Sequence, residues 1–389
     1  ATLPVQQLNG SLGVENIDLS LAGGANQDGS QPIHRWACAT IGDVLNTNST
    51  VQMLKLNPGG GTDGGTILSH IHRARKSSLR MLDLTGIGLG DRGGGMFFDA
   101  LIDNKCKFLS ALHLGDNQLT DLAIGSHLVE VMRDPLCNIS TLDLSKNLIG
   151  APVITQSIKY NKSLTSLDVL GNPIDDDGLW QLGEVLLDKN CECRINAFSC
   201  ESFDIKSGST ELQIHGEVLE KGATRLLCGV LKYNTLIKTL DLSNRGIATD
   251  AASVLAATVK TNSTITNLNL SGNPISNVAM YKTDKGATST ETPKAGGKPM
   301  EKMADTTGLV KLAEAVKLSS SLAAITLEST KGSTLPIETL KGDKKARVVD
   351  LARKGLSFIS AIFIGVLMRG NTHVTELVLN SNEVMASGA

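Results

Sequence analysis

Aromatic side chains are scarce in this chain, with two Trp, three Tyr and seven Phe among 389 residues. That shortage removes the stacking platforms a single-strand nucleic-acid binder needs. Neither sign of charge is in excess: 37 basic residues face 39 acidic ones, so nothing points to nucleic acid or an anionic membrane as a partner. Long apolar runs are missing too. The longest, Leu356 to Met368, falls short of the ~20 residues of a spanning helix; it is expected as the core helix of a repeat, with no membrane insertion. The N-terminal segment shows no basic region followed by an apolar run, so no signal peptide is read there, and the missing initiator Met leaves room for residues upstream.

Cysteines are few and odd in number: Cys38, Cys106, Cys137, Cys191, Cys193, Cys200 and Cys228. They form no paired clusters of the kind that cap secreted solenoids, which points to the cytoplasm or another reducing intracellular compartment. Cys191-x-Cys193 with Cys200 and Cys228 is the densest thiol group, but a helix and an insertion separate Cys228 from the rest, so buried or surface thiols are expected rather than zinc. His70-x-His72 has strand-like spacing and no nearby carboxylate pair. Asp175-Asp176-Asp177-Gly178 lacks the ligand spacing of a calcium loop and reads as helix capping. The Gly-rich stretch Pro58 to Thr66 lacks the phosphate-loop pattern, and neither H-E-x-x-H nor G-x-S-x-G occurs. No catalytic, metal-binding or cofactor-binding residue is assigned, and a non-enzyme with no cofactor is expected.

What the chain does have is repetition. A pattern that reads L-x-x-L-x-L-x-x-N-x-L in full begins at Val51, Leu79, Leu109, Ile139, Leu164, Glu192, Ile237, Ile265, Leu322, Ala346 and Val374, most often at steps of 28 to 30 residues. Alternating apolar residues on a short strand point into a core, and the Asn can satisfy backbone groups of the neighbouring coil that would otherwise be buried unpaired. The clearest copies run Leu109, Leu112, Leu114, Asn117, Leu119 and Ile139, Leu142, Leu144, Asn147, Ile149. The sixth departs most: Glu192, Ile195 and Ala197 fill the apolar slots and Cys200 the Asn slot. Between strands the apolar period lengthens to that of a helix, as in Asp121 to Met132 and Ala251 to Val259. Asp91, Asp121, Asp177 and Asp250 precede such helices and are expected to cap them. Asn104, Asn161, Asn190, Asn234, Asn262 and Asn371 follow them and are expected in the left-handed turn that stops a helix. Asn9, Asn48, Asn138, Asn161 and Asn262 match the glycosylation sequon but are read as turn residues.

The period, the full-length helices and the Leu-Asp-Leu-Ser strands together resemble the ribonuclease-inhibitor-like class of leucine-rich repeat proteins, over residues from about Val14 to the end. The resemblance implies an α/β leucine-rich repeat solenoid, a horseshoe with a concave parallel β-sheet and convex α-helices. It implies no single activity, since the class includes inhibitors, GTPase-activating proteins, immune sensors and subunits of flagellar machinery.

A longer repeat overlies the short one. Leu3-Pro4-Val5-Gln6-Gln7-Leu8-Asn9-Gly10 is echoed 332 residues later by Leu335-Pro336-Ile337-Glu338-Thr339-Leu340-Lys341-Gly342. This lead-in motif is expected to replace a repeat helix, to pack its Leu and Pro against the preceding coil, and to add a twelfth strand near Val14. The expected organisation is an array over 1–332 with insertions at 201–216 and 279–303, then a second lead-in motif and continuing, truncated repeats over 333–389. Phe203, Ile205, Leu212 and Ile214 around Ser207-Gly208-Ser209 make the first insertion a hairpin; Tyr281 to Met303 has the composition of a mobile loop.

The central outward positions of the strands read Asp18, Lys55, Asp83, His113, Asp143, Asp168, Asn196, Asp241, Asn269, Thr326, Asp350 and Val378. Six are Asp, which could attract a basic partner, although Leu-Asp-Leu is also the ordinary strand text of the class. The candidate protein-binding surface is Asp83, His113, Asp143, Asp168, Phe198, Asp241 and Asp350, with Phe198 the lone aromatic. The function expected is a protein–protein interaction scaffold within a larger multi-subunit assembly. A regulator of a small GTPase, with Arg245 in an Asn slot as its one candidate, or an inhibitor of a protein target is the alternative. Nucleic-acid sensing would need an attached nucleotide-switch domain.

Overall fold

The computed structural model describes residues 5–8, 10–18, 48–56, 78–104, 109–276 and 306–384. The Gly-rich stretch, the 279–303 insertion, His34, His70, His72, Cys38 and Cys106 lie outside them, as do Leu3 and Pro4 of the first lead-in motif. The chain forms two compact units, Ala1–Gly208 and Ser209–Ala389.

In the first unit, seven three-residue strands pair in parallel in sequence order: β1 (Asn16–Asp18), β2 (Met53–Lys55), β3 (Met81–Asp83), β4 (Ala111–His113), β5 (Thr141–Asp143), β6 (Ser166–Asp168) and β7 (Ala197–Ser199). Helix α1 (Val5–Leu8) precedes β1, and α2 (Gly90–Asn104), α3 (Asp121–Arg133), α4 (Ala151–Ile158) and α5 (Asp176–Leu187) alternate with β3 to β7. The register stacks Leu54, Leu82, Leu112, Leu142, Leu167 and Phe198 as successive rungs. All are buried, each Leu contributing about 1.5–3 kcal/mol of burial. This register shifts the sixth copy of the repeat. Ile195, Phe198 and Cys200 occupy its three leucine slots, so Cys200 is core rather than an Asn substitute, and Ser199 rather than Asn196 takes the central outward position. The 201–216 insertion contributes β8 (Phe203–Ile205), which turns back antiparallel onto β7 and lays Phe203 against Phe198 with ring centroids 6.1 Å apart.

The second unit contains β9 (Gln213–Ile214), the parallel strands β10 (Thr239–Asp241), β11 (Asn267–Asn269) and β12 (Ala324–Thr326), and β13 (Leu335–Pro336) antiparallel to β12. A separate parallel pair, β14 (Val348–Asp350) and β15 (Glu376–Val378), follows. Its helices are α6 (Lys221–Leu231), α7 (Thr249–Thr261), α8 (Thr307–Leu318), α9 (Ile337–Lys341) and α10 (Phe358–Met368). Leu240, Leu268 and Ile325 stack as rungs. The second lead-in motif forms β13 and the one-turn α9, burying Leu335, Ile337 and Leu340. In α10, Phe363, Ile364, Val366 and Leu367 are core, and no described helix is long and apolar enough to cross a membrane.

Two ladders of asparagine tie the coils together. At the strand exits, Asn147 Nδ2 donates to the Leu114 carbonyl of the preceding coil at 3.0 Å and to Leu144 O at 3.0 Å. Its Oδ1 accepts from Asn117 N at 3.1 Å and Leu119 N at 3.0 Å. Asn117, Asn172, Asn273 and Asn382 repeat the arrangement. The residue before this slot takes positive φ, whether Asp116, Lys146, Asn244, Ser381 or a glycine. At Gly171 a Cβ would also meet the Lys146 backbone at 3.2 Å.

The second ladder corrects an expectation. Asn161, Asn234, Asn262 and Asn371 do not stop helices by adopting the left-handed conformation; Asn262 is extended, with φ −72 and ψ 128. Instead Asn161 donates to Met132 O at 2.8 Å, in the coil before, and accepts from Ser163 N and Leu164 N. Asn48, Asn262 and Asn371 do likewise. Sequons at Asn48, Asn161 and Asn262 are therefore buried parts of the frame.

The aspartates at the helix starts also act between coils. Asp91 and Asp121 sit in the first turn of their helices and accept from the start of the next repeat: Asp91 from Thr120 N and Oγ1, each at 2.9 Å, and Asp121 from Gly150 N at 2.8 Å. Asp177 is likewise inside α5, whose cap is Asp175, accepting from Gly178 N at 2.9 Å; Asp250 lies 3.2 Å from Lys221 Nζ.

A candidate docking row on the strands of the first unit

Each of β1 to β7 buries its middle residue and turns its last one outward. Parallel register then sets Asp18, Lys55, Asp83, His113, Asp143, Asp168 and Ser199 side by side, one per strand, about 4.8 Å apart. Of the seven candidate residues, four are thus brought into one row: Asp83, His113, Asp143 and Asp168. Asp241 and Asp350 occupy equivalent positions on β10 and β14, in two different sheets of the second unit. Phe198 does not belong to any surface. It is 1% exposed, because it fills a leucine slot in the rung sequence.

The outward Asp has a local duty. Asp83, Asp143, Asp168, Asp241 and Asp350 each accept, through Oδ1, the backbone N–H two residues on, at 2.8–3.0 Å. This Asx turn is the physical content of Leu-Asp-Leu-Ser. It uses one carboxylate oxygen and leaves the charge on the sheet surface.

Across the row, Lys55 Nζ lies 3.6 Å from Asp83 Oδ2 and His113 Nδ1 3.6 Å from Asp143 Oδ2. Pairing with the Asp143 carboxylate raises the imidazole of His113 above its ordinary value, against a burial effect in the other direction. Burial works to raise Asp143, but His113 and both the hydroxyl and N–H of Ser145 outweigh it and hold the carboxyl low. Asp168 has no such cation beside it. Burial first, then the charges of Asp143 and Asp204, push it up to about 6. Asp204 was not singled out from the sequence. It faces outward from β8, between buried Phe203 and Ile205, and accepts from Ser199 Oγ at 2.6 Å; the alternation around it is readable, but its place beside Asp168 depends on β8 folding back onto β7.

The other candidates resolve into framework. Cys191, Cys193, Cys200 and Cys228 are buried thiols outside any disulfide, with burial pushing Cys193 up to about 12 and Cys200 and Cys228 up to about 11. Among the described residues, no group of three or more His, Cys, Asp or Glu could hold a metal ion. Arg245 Nη1 donates to Gly216 O at 2.6 Å, bracing a neighbouring turn.

Comparison with known proteins agrees with this architecture. A Leucine Rich repeat family model matches residues 160–179, 261–282 and 370–389. The chain is 28% identical over 259 residues to human NACHT, LRR and PYD domains-containing protein 5, covering 62% of this chain and 21% of that protein. It is 25% identical over 319 residues to the ribonuclease inhibitor of Sus scrofa, covering 74% and 70%. It thus spans about a fifth of the first relative. A solved structure of the TLR13–ssRNA13 complex aligns with 70% of this chain and 30% of that one, at 16% identity and a TM-score of 0.35.

Proposed function

Because the chain is a leucine-rich repeat protein of the ribonuclease-inhibitor-like class, we propose that it is a non-enzymatic scaffold that docks a basic protein surface on the strand row of its first unit. The supporting observation is the Asp143–Asp168–Asp204 sequence of carboxylates, where Asp168 is set between two like charges while the basic groups His113 and Lys206 pair with its neighbours Asp143 and Asp204. A frame needing only an Asx turn could use Asn there, as it does at Asn269. Retaining charge at such a position fits recognition of a complementary cationic patch, adding rate and orientation. Buried cysteines without disulfides fit a reducing compartment, and membership of a multi-subunit assembly remains part of the reading.

Cross-linking of the full chain in native lysate, beside the Asp143→Asn/Asp168→Asn variant, tests this. The wild type is expected to retain a partner of basic surface, cross-linked near Lys55 and released by salt, while the variant loses it. A monomer that retains nothing, or equal retention by the variant, refutes it.

A further inference from the structure

His113 is the one member of the row whose charge changes near neutral pH by virtue of its ordinary chemistry. Its setting is specific. Nδ1 faces Asp143 at 3.6 Å, Nε2 is enclosed without a hydrogen-bond partner, and the charged groups acting on the ring are Asp143 on β5, Asp83 on β3 and Asp168 on β6. Asp168 in turn faces Asp143, Asp204 on β8 and His113, while Lys55 on β2 reaches the row through Asp83 and Lys206 through Asp204, 3.8 Å from its Oδ2.

Resting on the docking reading, we infer that the row is a proton-operated release device: mild acidification places a cation at His113 and removes the anion at Asp168, so that a basic partner bound at neutral pH is let go. The two events act in the same direction on one surface. With His113 neutral, the seven groups Lys55, Asp83, His113, Asp143, Asp168, Asp204 and Lys206 sum to a formal charge of about −2; with His113 protonated and Asp168 neutral, about 0. Asp143 stays ionised throughout, held low by His113 and Ser145, and therefore pairs with the new imidazolium instead of the partner. A carboxyl titrating at about 6 is some three-quarters neutral at pH 5.5. If the partner requires its ionised form, that alone weakens binding about fourfold. Protonation of His113, whose value Asp143 raises, acts in the same direction.

The test measures binding of a fluorescent deca-arginine peptide to the full chain at pH 7.5 and 5.5 by anisotropy, for the wild type, His113→Gln, Asp168→Asn and the double variant. The expected result is wild-type binding at least about fourfold weaker at pH 5.5, a smaller change in each single variant, and almost none in the double variant. Equal wild-type affinity at both pH values overturns the release device and leaves the docking reading standing. Full pH dependence in the double variant assigns the effect to other groups and also overturns it. Absence of peptide binding at pH 7.5 overturns both.

Discussion

Replacing Asp168 by Asn isolates the electrostatic cost of the row. The amide keeps the Oδ1 that accepts Leu170 N at 2.9 Å, so the Asx turn survives and only the charge is lost. The carboxyl titrates at about 6 in the folded protein against an ordinary 3.8. At ~1.4 kcal/mol per pH unit the ionised form is disfavoured by about 3 kcal/mol. The side chain lies on a solvated sheet face, where screening reduces such values, so about 1–1.5 kcal/mol is the working figure. The folded value is the raised one, so folding favours the protonated form: this contribution is fully present below pH ~3.8 and lost as pH rises through about 6. Asp168→Asn should therefore stabilise the protein by about 1–1.5 kcal/mol at pH 7.5, with the gain falling to about half to two-thirds of that by pH 4.5. Urea unfolding of both proteins at the two pH values measures it through the shift in midpoint. A variant no more stable than wild type at pH 7.5, or a gain unchanged at pH 4.5, would refute the argument that like charges and burial oppose Asp168.

Two further substitutions probe the frame. Asn147→Ala removes the acceptor for Asn117 N and Leu119 N and the donor to Leu114 O and Leu144 O, all buried; at about 1–3 kcal/mol per orphaned group, a loss of about 3 kcal/mol or more is expected in chemical unfolding. Phe198→Ala should cost about 3–5 kcal/mol in the same assay and, in native conditions, leave retention of a basic partner intact, because the ring is core and not surface.

The strands and their leucines were legible because a period of two inside a period near 28 admits few registers. Where it failed, the reason is local. In the sixth copy, Phe198 and Cys200 stand where leucines are usual, and shifting the template by three residues still placed Ile195 in an apolar slot, so the pattern alone could not choose. The strand pairing of Leu167 with Phe198 chooses, since only one register continues the rung. The role of Asn161 was hidden for a different cause. Its position after a helix is visible, but its bond to Met132 O crosses 29 residues, and local turn rules describe only its immediate neighbours. Asp83, His113, Asp143 and Asp168 were legible as outward residues; Asp204 as their neighbour was not, because β8 reverses direction and no repeat spacing announces it.

These observations divide the labour within each repeat. Asparagines at the strand and helix exits satisfy the buried backbone of two coils at once, and Asp91 and Asp121 brace one repeat's helix against the next repeat's start. Coil-to-coil cohesion therefore does not depend on the charge of the outward strand residue, where an Asx turn needs only an acceptor oxygen and Asn269 supplies one without charge. The outward position is the site where a charge can be carried at the smallest cost to the frame, and neighbouring repeats can be given different groups independently. That Asp143, Asp168 and Asp204 nevertheless stand together, against their mutual repulsion, places the electrostatic conflict on the surface and not in the core.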